Sequence, residues 1–413
     1  MTEQSSREYR KRMLRGDKIS GEEDPEEEER DLLRRSKKQK KTRRIILLTI
    51  LIVIAAAGVS LYLFQRFFQY PGYEVSWEKD LNQGSLTGYE PFLKGLLKYS
   101  KDGVTFLSDK GQESWVESYE MKAPIISVNG NFAAIADQQG NKLIIFGEDG
   151  KTGEATTLLP ITKAAVSGTG VSAVIEEDTS GSYIAFFNKD GSALDITIKA
   201  KLSGQTGYPT DLALSPDGSR LMVCYEYIDG QAMKGRVVFY DFSEIGKNIP
   251  NRLVGGFDEQ FSKSLLAKVS YFSPVYSYAA ADTGLYFFSS KNLASPALIK
   301  EVPEEDEIQT IFNSGEYAGV ILKSASSRYR LEVYRANGSP VLKKEFDEPY
   351  QYAGIDGEYV FIYSTDHCLI YNLSGTEKFN GSLDFSVRKI IKGTLPGEFI
   401  MAGPTTMKGI RLK

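Results

Sequence analysis

The hydrophobic pattern divides the chain into one long apolar run and many short ones. Residues 45–64 read IILLTILIVIAAAGVSLYLF and contain no charged side chain. A helix of about 20 residues rises about 30 Å, which matches the hydrocarbon core of a bilayer. A helix buried in a globular domain is the alternative, and the lack of any polar face argues against it. The run therefore predicts one transmembrane α-helix over residues 45–64.

Beyond this run, short apolar segments recur with turn residues between them. The clearest copy covers residues 124–160, where apolar strands at 132–136 and 143–146 are separated by a polar turn. A second turn, Glu148-Asp149-Gly150, leads into a more polar strand at 156–159. Alternation over four to eight residues, bounded by Gly, Asn and Asp, is typical of β-strands joined by hairpins. The pattern predicts an all-β domain made of four-stranded repeats.

The hairpin that precedes each aromatic strand gives a repeat count. Eight such positions recur along the chain, at Gly103, Gly140, Gly181, Gly235, Gly284, Ser327, Asp366 and Gly409. Four strands in each repeat of about 40–50 residues indicate a β-propeller. We predict an eight-bladed β-propeller. A seven-bladed ring is the alternative, if the weak repeat near 163–200 or the irregular one near 250–300 is misassigned.

The last repeat lacks a fourth strand, and the chain ends at Lys413. Residues 73–81 (YEVSWEKDL) lie before the first full repeat and resemble an outermost strand. We expect them to complete the final blade and close the ring. The predicted domains are a charged disordered tail at 1–44, the transmembrane helix at 45–64, a juxtamembrane linker at 65–72 and the propeller at 73–413.

Charge predicts the orientation of the helix in the membrane. Residues 30–44 carry nine basic side chains, whereas the fifteen residues after Phe64 carry only Arg66 and Lys79. The positive-inside rule then places the N-terminus in the cytoplasm and the propeller outside it, at the cell membrane. A cleaved signal peptide is the rival interpretation, but a charged leader of this length argues against one. The remaining chain is acidic, which argues against nucleic acid as a partner.

Few residues could carry chemistry. His367 is the single histidine, so no metal site with several histidines can form. Cys224 and Cys368 fall inside predicted strands, where we expect small buried side chains. Carboxylates adjacent in sequence, such as Glu176-Glu177 and Glu304-Glu305-Asp306, point apart on a strand. The sequence predicts no catalytic residue, no cofactor-binding residue, no metal ligand and no cofactor.

Two segments resemble known propellers. Residues 102–115 (DGVTFLSDKGQESW) look like one repeat of the quinoprotein-like propellers, and residues 212–221 (LALSPDGSRL) look like an inner hairpin of WD-repeat-like propellers. The tail, span and ring together resemble an uncharacterised family of bacterial single-pass membrane proteins with an extracytoplasmic propeller. This resemblance implies a fold and a location but no activity. Quinoprotein dehydrogenases are rich in tryptophan, whereas this chain has only Trp77 and Trp115.

These patterns favour a non-catalytic binding or scaffold module for a protein or cell-envelope partner, rather than an enzyme. The alternative is a sensor that relays an external binding event to the cytoplasmic tail. A hydrolase or a quinoprotein-type enzyme is less favoured. The long connection at 241–268 is a candidate partner contact, and its apolar spacing from Phe257 to Val269 predicts a helix.

Overall fold

The chain forms two compact units, Met1–Gln65 and Arg66–Lys413. The computed structural model describes residues 10–11, 14, 25–81, 85–201, 207–325 and 328–413. The first unit contains most of one helix, α1 (Pro25–Phe67). Within α1, Lys40–Phe64 is long and apolar enough to cross a membrane, with a mean hydropathy of 2.7.

Helix α1 begins twenty residues before the predicted span. Residues 25–44 were predicted as part of a disordered tail, but they continue the helix. This segment consists mainly of Glu, Lys, Arg and Leu, which are strong helix formers, and Pro25 suits the first helical position. Most of the remaining predicted tail, residues 1–24, lies outside the described residues.

The described residues of the second unit form 32 strands in eight antiparallel four-stranded sheets. The first strand, β1 (Tyr73–Asp80), precedes the first complete sheet. Blades 1 and 2 comprise β2 (Gly88–Phe92), β3 (Gly95–Tyr99), β4 (Gly103–Leu107), β5 (Glu113–Ser118), β6 (Pro124–Asn129), β7 (Phe132–Asp137), β8 (Lys142–Gly147) and β9 (Gly150–Thr156). Blades 3 and 4 comprise β10 (Ile161–Val166), β11 (Ser172–Asp178), β12 (Gly181–Phe187), β13 (Ala193–Ala200), β14 (Tyr208–Leu214), β15 (Arg220–Asp229), β16 (Ala232–Asp241) and β17 (Leu253–Phe257).

The second half of the ring repeats this plan. Blades 5 and 6 comprise β18 (Leu266–Tyr271), β19 (Tyr276–Ala281), β20 (Gly284–Ser289), β21 (Ala297–Pro303), β22 (Glu307–Asn313), β23 (Tyr317–Lys323), β24 (Tyr329–Arg335) and β25 (Pro340–Phe346). Blades 7 and 8 comprise β26 (Tyr352–Asp356), β27 (Tyr359–Tyr363), β28 (His367–Asn372), β29 (Glu377–Ser382), β30 (Lys389–Lys392), β31 (Glu398–Ala402) and β32 (Thr406–Leu412). Blade 8 takes its fourth strand from β1, in the order β1-β32-β31-β30. The predicted eight-bladed propeller is confirmed, and the seven-bladed alternative is wrong.

The core is divided among the contacts between blades. The described residues form eight buried apolar clusters, and each cluster joins two successive blades. Strand β7 shows why: Ala133 and Ile135 pack towards blade 1, whereas Ala134 and Ala136 pack towards blade 3. Successive side chains on a strand point to opposite faces of the sheet, so an apolar strand needs a blade on each side. The eighth cluster joins blade 8 to blade 1 and completes the circle.

Strand order defines two faces of the ring. Because the strands of each blade alternate in direction, the hairpin between the second and third strands lies on the same side as the connections between blades. We call this side the distal face. The other hairpins lie on the N-terminal face, where residues 66–72 join the ring by hydrogen bonds to Lys378 and Lys413.

The segment at 257–269 was predicted as helical, and this prediction is wrong. Phe257 ends β17, a single 3-10 turn follows at Glu259–Phe261, and β18 begins at Leu266. Phe261 is buried against blades 4 and 5, whereas Leu265 is exposed. An apolar residue at every fourth position also fits a strand, a turn and a second strand in succession.

Candidate functional site

The residues that could take part in catalysis or bind a metal lie apart from one another. His367 begins β28 and is half-buried, and its backbone N–H donates to Ser364 Oγ at 3.2 Å. Cys224 and Cys368 are free and fully buried, as expected. Burial raises the pKa of both thiols. Among the described residues, no group of three or more His, Cys, Asp or Glu side chains has an arrangement that could hold a metal ion.

The adjacent carboxylates have separate partners. Glu176 is buried and accepts a hydrogen bond from the Leu159 backbone N–H at 3.1 Å. Its neighbour Glu177 accepts from the Tyr208 hydroxyl at 2.6 Å. The two side chains therefore form no paired-carboxylate site.

Of the adjacent carboxylates Glu304-Glu305-Asp306, the first and the last belong to a charged cluster at blade 6. Arg330 donates to Glu304 at 2.9 Å and to Glu332 at 2.7 Å, and it also pairs with Asp306. Burial and the nearby Glu332 raise the pKa of Glu304. Burial also acts to raise the pKa of Glu332, but hydrogen bonds from Lys343 and Tyr334 outweigh it and lower that pKa. Each of the three carboxylates pairs with Arg330 or Lys343, which is typical of a structural network.

A channel of about 730 Å³ runs along the first strands of the blades. Its charged lining residues are Glu90, Asp211, Lys268, Asp356 and Lys389. Asp211 and Asp356 also accept backbone N–H groups of the next blade, from Val269 and Lys392 respectively, each at 2.9 Å. The channel therefore combines blade-to-blade bonds with side-chain charges inside one cavity.

Blade 4 carries the most prominent projection of the ring. Strands β15 and β16 have ten residues each. The pairing of β14 with β15 begins at Glu226, and that of β17 with β16 begins at Val237. Beyond these points, residues 227–234 pair only with each other among the residues that the structure describes. We call residues 227–234 the ribbon; it lies on the distal face.

The ribbon presents apolar side chains. Ile228 and Met233 are directly opposite each other, and each is 53% exposed. Its base is held by Arg236, which donates to Asp258 at 2.6 and 2.8 Å and lies over the Tyr227 ring at 4.6 Å. A two-stranded ribbon with exposed apolar residues and a fixed base suits contact with another protein. The sequence did not reveal this surface, because Ile228 and Met233 look like ordinary strand residues.

The connection at 241–268 was predicted from the sequence as a candidate partner contact. Asp241 is fully buried, and its carboxylate accepts the Ser243 N–H at 2.8 Å and the Gly246 N–H at 3.3 Å. Arg220, also buried, donates to Asp241 at 3.4 Å. These contacts attach the beginning of the connection to blade 4, so the ribbon replaces it as the candidate contact.

Comparison with solved structures shows the same fold. Sqt1 from Chaetomium thermophilum superposes with a TM-score of 0.54 at 11% identity, covering 83% of this chain and 100% of that one. The apo form of AztD from Citrobacter koseri gives 0.52 at 9% identity, with coverage of 75% and 90%. BamB from Moraxella catarrhalis gives 0.49 at 14% identity, with coverage of 82% and 100%. At these identities the likeness to Sqt1 and AztD shows a propeller fold only.

No curated protein matches the chain. A family model does match it, and the match covers residues 66–412, which is nearly the whole propeller unit. The chain belongs to this family, described as a family of unknown function, DUF5711.

Proposed function

We propose that the protein is a membrane-anchored, non-catalytic binding module that holds a protein partner of the cell envelope outside the cytoplasm. The ribbon carries this proposal. It projects beyond the pairing of β15 and β16 with β14 and β17, and it exposes Ile228 and Met233. Methionine and large apolar side chains at the centre of a surface patch are typical of protein interfaces.

The proposed membrane anchor is α1. Lys40–Phe64 has the length and apolarity of a membrane span, and the basic side chains concentrate on its N-terminal side. If the ring lies outside, a cysteine replacing the exposed Lys94 reacts with a membrane-impermeant maleimide in intact cells. A cysteine replacing Lys38 reacts only after permeabilisation. The two native cysteines are fully buried and give little background. The opposite labelling pattern contradicts the orientation.

The ribbon is tested by position-specific crosslinking. A photo-reactive residue replaces Gln231, which is exposed between Ile228 and Met233, and crosslinking is carried out in cells that express the full chain. We expect a discrete adduct that mass spectrometry assigns to one protein. The double substitution Ile228→Ser and Met233→Ser should reduce this adduct about tenfold or more, because it removes the apolar contact.

Two controls make the result specific. The same photo-reactive residue at Lys94, in a hairpin of the N-terminal face, should not give this adduct. Unchanged thermal melting of the double variant excludes unfolding as the cause of any loss. An adduct formed equally from position 94, or one retained by the double variant, contradicts the ribbon as the contact.

A second candidate function, the sensor, is favoured by contacts of Arg66, at the end of α1, and of Phe68, just after it. The Asn372 side chain donates to the Arg66 carbonyl at 2.9 Å, and Lys378 Nζ donates to the Phe68 carbonyl at 3.0 Å. The predicted linker at 65–72 is thus tied to blade 7 from residue 66 onwards. If the chain relays a signal, deletion of residues 1–24 abolishes the cellular response but leaves the ribbon adduct intact. A response that persists favours the binding module alone.

A further inference from the structure

Four consecutive first strands carry the same irregularity. The register of β10, β14, β18 and β22 shifts by one residue, immediately before Lys163, Asp211, Lys268 and Thr310 respectively. In each strand this residue lies three positions before the last one. A β-bulge turns a side chain in a new direction and often occurs beside a functional site. The repeated bulge places two lysines on either side of Asp211 along the ring.

The two carboxylates at this level already have partners. Asp211 Oδ2 accepts the Val269 N–H at 2.9 Å. Glu90 of blade 1 pairs with Lys389 of blade 8 at 3.3 Å. These groups form a charged belt around the channel, which we define as Glu90, Lys163, Asp211, Lys268 and Lys389. Lys163 is exposed on β10 and interacts electrostatically with Asp211 and Lys268. The belt carries three cations and two anions, and a third carboxylate, Asp356, also lines the channel.

Lys163 and Lys268 have no such partner. Among the described residues, neither ammonium makes a hydrogen bond or an ion pair. Burial lowers the pKa of Lys268, while Asp211 and Glu90 act to raise it and Lys389 and Lys163 to lower it. Lys268 therefore interacts electrostatically with blades 1, 3, 4 and 8, so the belt is narrow enough to act as one site. A half-buried ammonium with three donors favours an oxygen acceptor over an apolar neighbour.

We propose that the charged belt binds a small organic anion inside the channel, with Lys268 and Lys163 donating to its carboxylate or phosphate oxygens. The cavity of about 730 Å³ has the size of a small-molecule site. Lys163 and Lys268 lack a partner among the described residues, so they favour an anion that supplies acceptor oxygens. This site is separate from the ribbon and does not depend on the proposed function.

Calorimetric titration of the full-length chain in non-ionic detergent tests the site. Succinate and inorganic phosphate are titrated separately, so that the two classes of anion are distinguished. We expect one of them to bind saturably with one site per chain. Lys268→Met and Lys163→Met should each weaken its binding about tenfold or more, because each removes a charge-assisted hydrogen bond. Lys94→Met removes the same charge from an exposed hairpin and should leave binding unchanged.

Asp211→Asn distinguishes a specific effect on anion binding from a general loss of folding. The amide oxygen can still accept the Val269 N–H, while the negative charge between the two lysines is removed. We expect this variant to bind the anion several-fold more tightly, which a damaged fold would not do. Saturable binding of neither anion overturns the proposal, as does equal affinity in the wild type and in Lys268→Met. Weaker binding in Asp211→Asn with unchanged melting also overturns it.

Discussion

Glu226 is a single carboxylate that joins two blades. It lies on β15 and is 7% exposed, and its Oε1 accepts the Leu266 N–H of blade 5 at 2.8 Å. Among the described residues, none donates to its Oε2. Burial raises the pKa of Glu226, and repulsion from Asp282 adds to this, while the Leu266 hydrogen bond opposes it. The site therefore favours the protonated carboxyl.

This shift predicts a pH-dependent difference between the wild type and Glu226→Gln. The ordinary pKa of the group is 4.5, and the folded value is higher, so its favourable contribution is complete below pH 4.5 and is lost as pH rises through the folded pKa. Glutamine keeps an acceptor for Leu266 and does not titrate. We expect the melting temperature of Glu226→Gln, relative to wild type, to rise between pH 4 and pH 7.

Thermal melting followed by circular dichroism at several pH values measures this difference. Glu120→Gln, at an exposed position, removes the same charge without a buried bond and serves as the control. A difference between Glu226→Gln and wild type that stays constant from pH 4 to pH 7 would show that the buried carboxyl does not carry the effect.

At the scale of elements, the hairpin between the third and fourth strands of blade 2 was predicted at Glu148-Asp149-Gly150. The equivalent turns share its glycine, and five of these glycines have a positive φ: Gly111, Gly150, Gly191, Gly338 and Gly375. At Gly191 the φ is 85°, and an added Cβ would lie 2.2 Å from the Glu154 backbone oxygen. The turn thus requires glycine for both conformation and space.

Gly191→Ala tests this requirement. The left-handed conformation and the contact with Glu154 should together lower the free energy of unfolding by about 1–3 kcal/mol. Gly256→Ala is a matched control, because no atom lies within 4 Å of its added Cβ and its φ is not positive. Melting temperatures of the two variants measure the contrast. Equal melting temperatures would contradict the assigned turn.

Other elements could not be predicted, and the reason is physical. The glycine turns can be recognised in the sequence because a positive φ at one position favours glycine there. The bulges before Lys163 and Lys268 depend on pairing with a neighbouring strand, which no single strand encodes. Of the eight positions used to count blades, five lie at the hairpin before a third strand, and Ser327 lies outside the described residues. The other two, Gly235 and Gly409, lie inside third strands. Long-range pairing moved the real hairpins to Gly230 and Gly403.

At the scale of the whole molecule, ring closure depends on β1. Tyr73–Asp80 pairs with Thr406–Leu412 across more than three hundred residues of sequence. Trp77 packs directly over Gly409, where an added Cβ would lie 2.1 Å from the indole nitrogen. The apolar faces of blades 1 and 8 are covered only while this blade is complete. We therefore expect the blades to unfold cooperatively when the closing strand is lost.

A disulfide across the closing strands tests this expectation. Asp80 and Thr406 are directly opposite each other, and opposed residues of antiparallel strands have the separation that a disulfide requires. The variant Asp80→Cys with Thr406→Cys would enclose about 330 residues and stabilise the ring by up to about 6 kcal/mol. Thermal melting of the full chain in detergent, with and without reductant, measures the gain.

The comparison with a local disulfide decides whether closure itself is responsible. Glu307 and Lys323 are opposed within blade 6, and cysteines there would enclose about 17 residues and contribute about 3 kcal/mol. If β1 is the element that opens first, the closing disulfide raises the melting temperature more than the local one, and reductant removes both gains. A larger gain from the local disulfide would mean that the ring begins to unfold within a blade, with β1 still paired to β32.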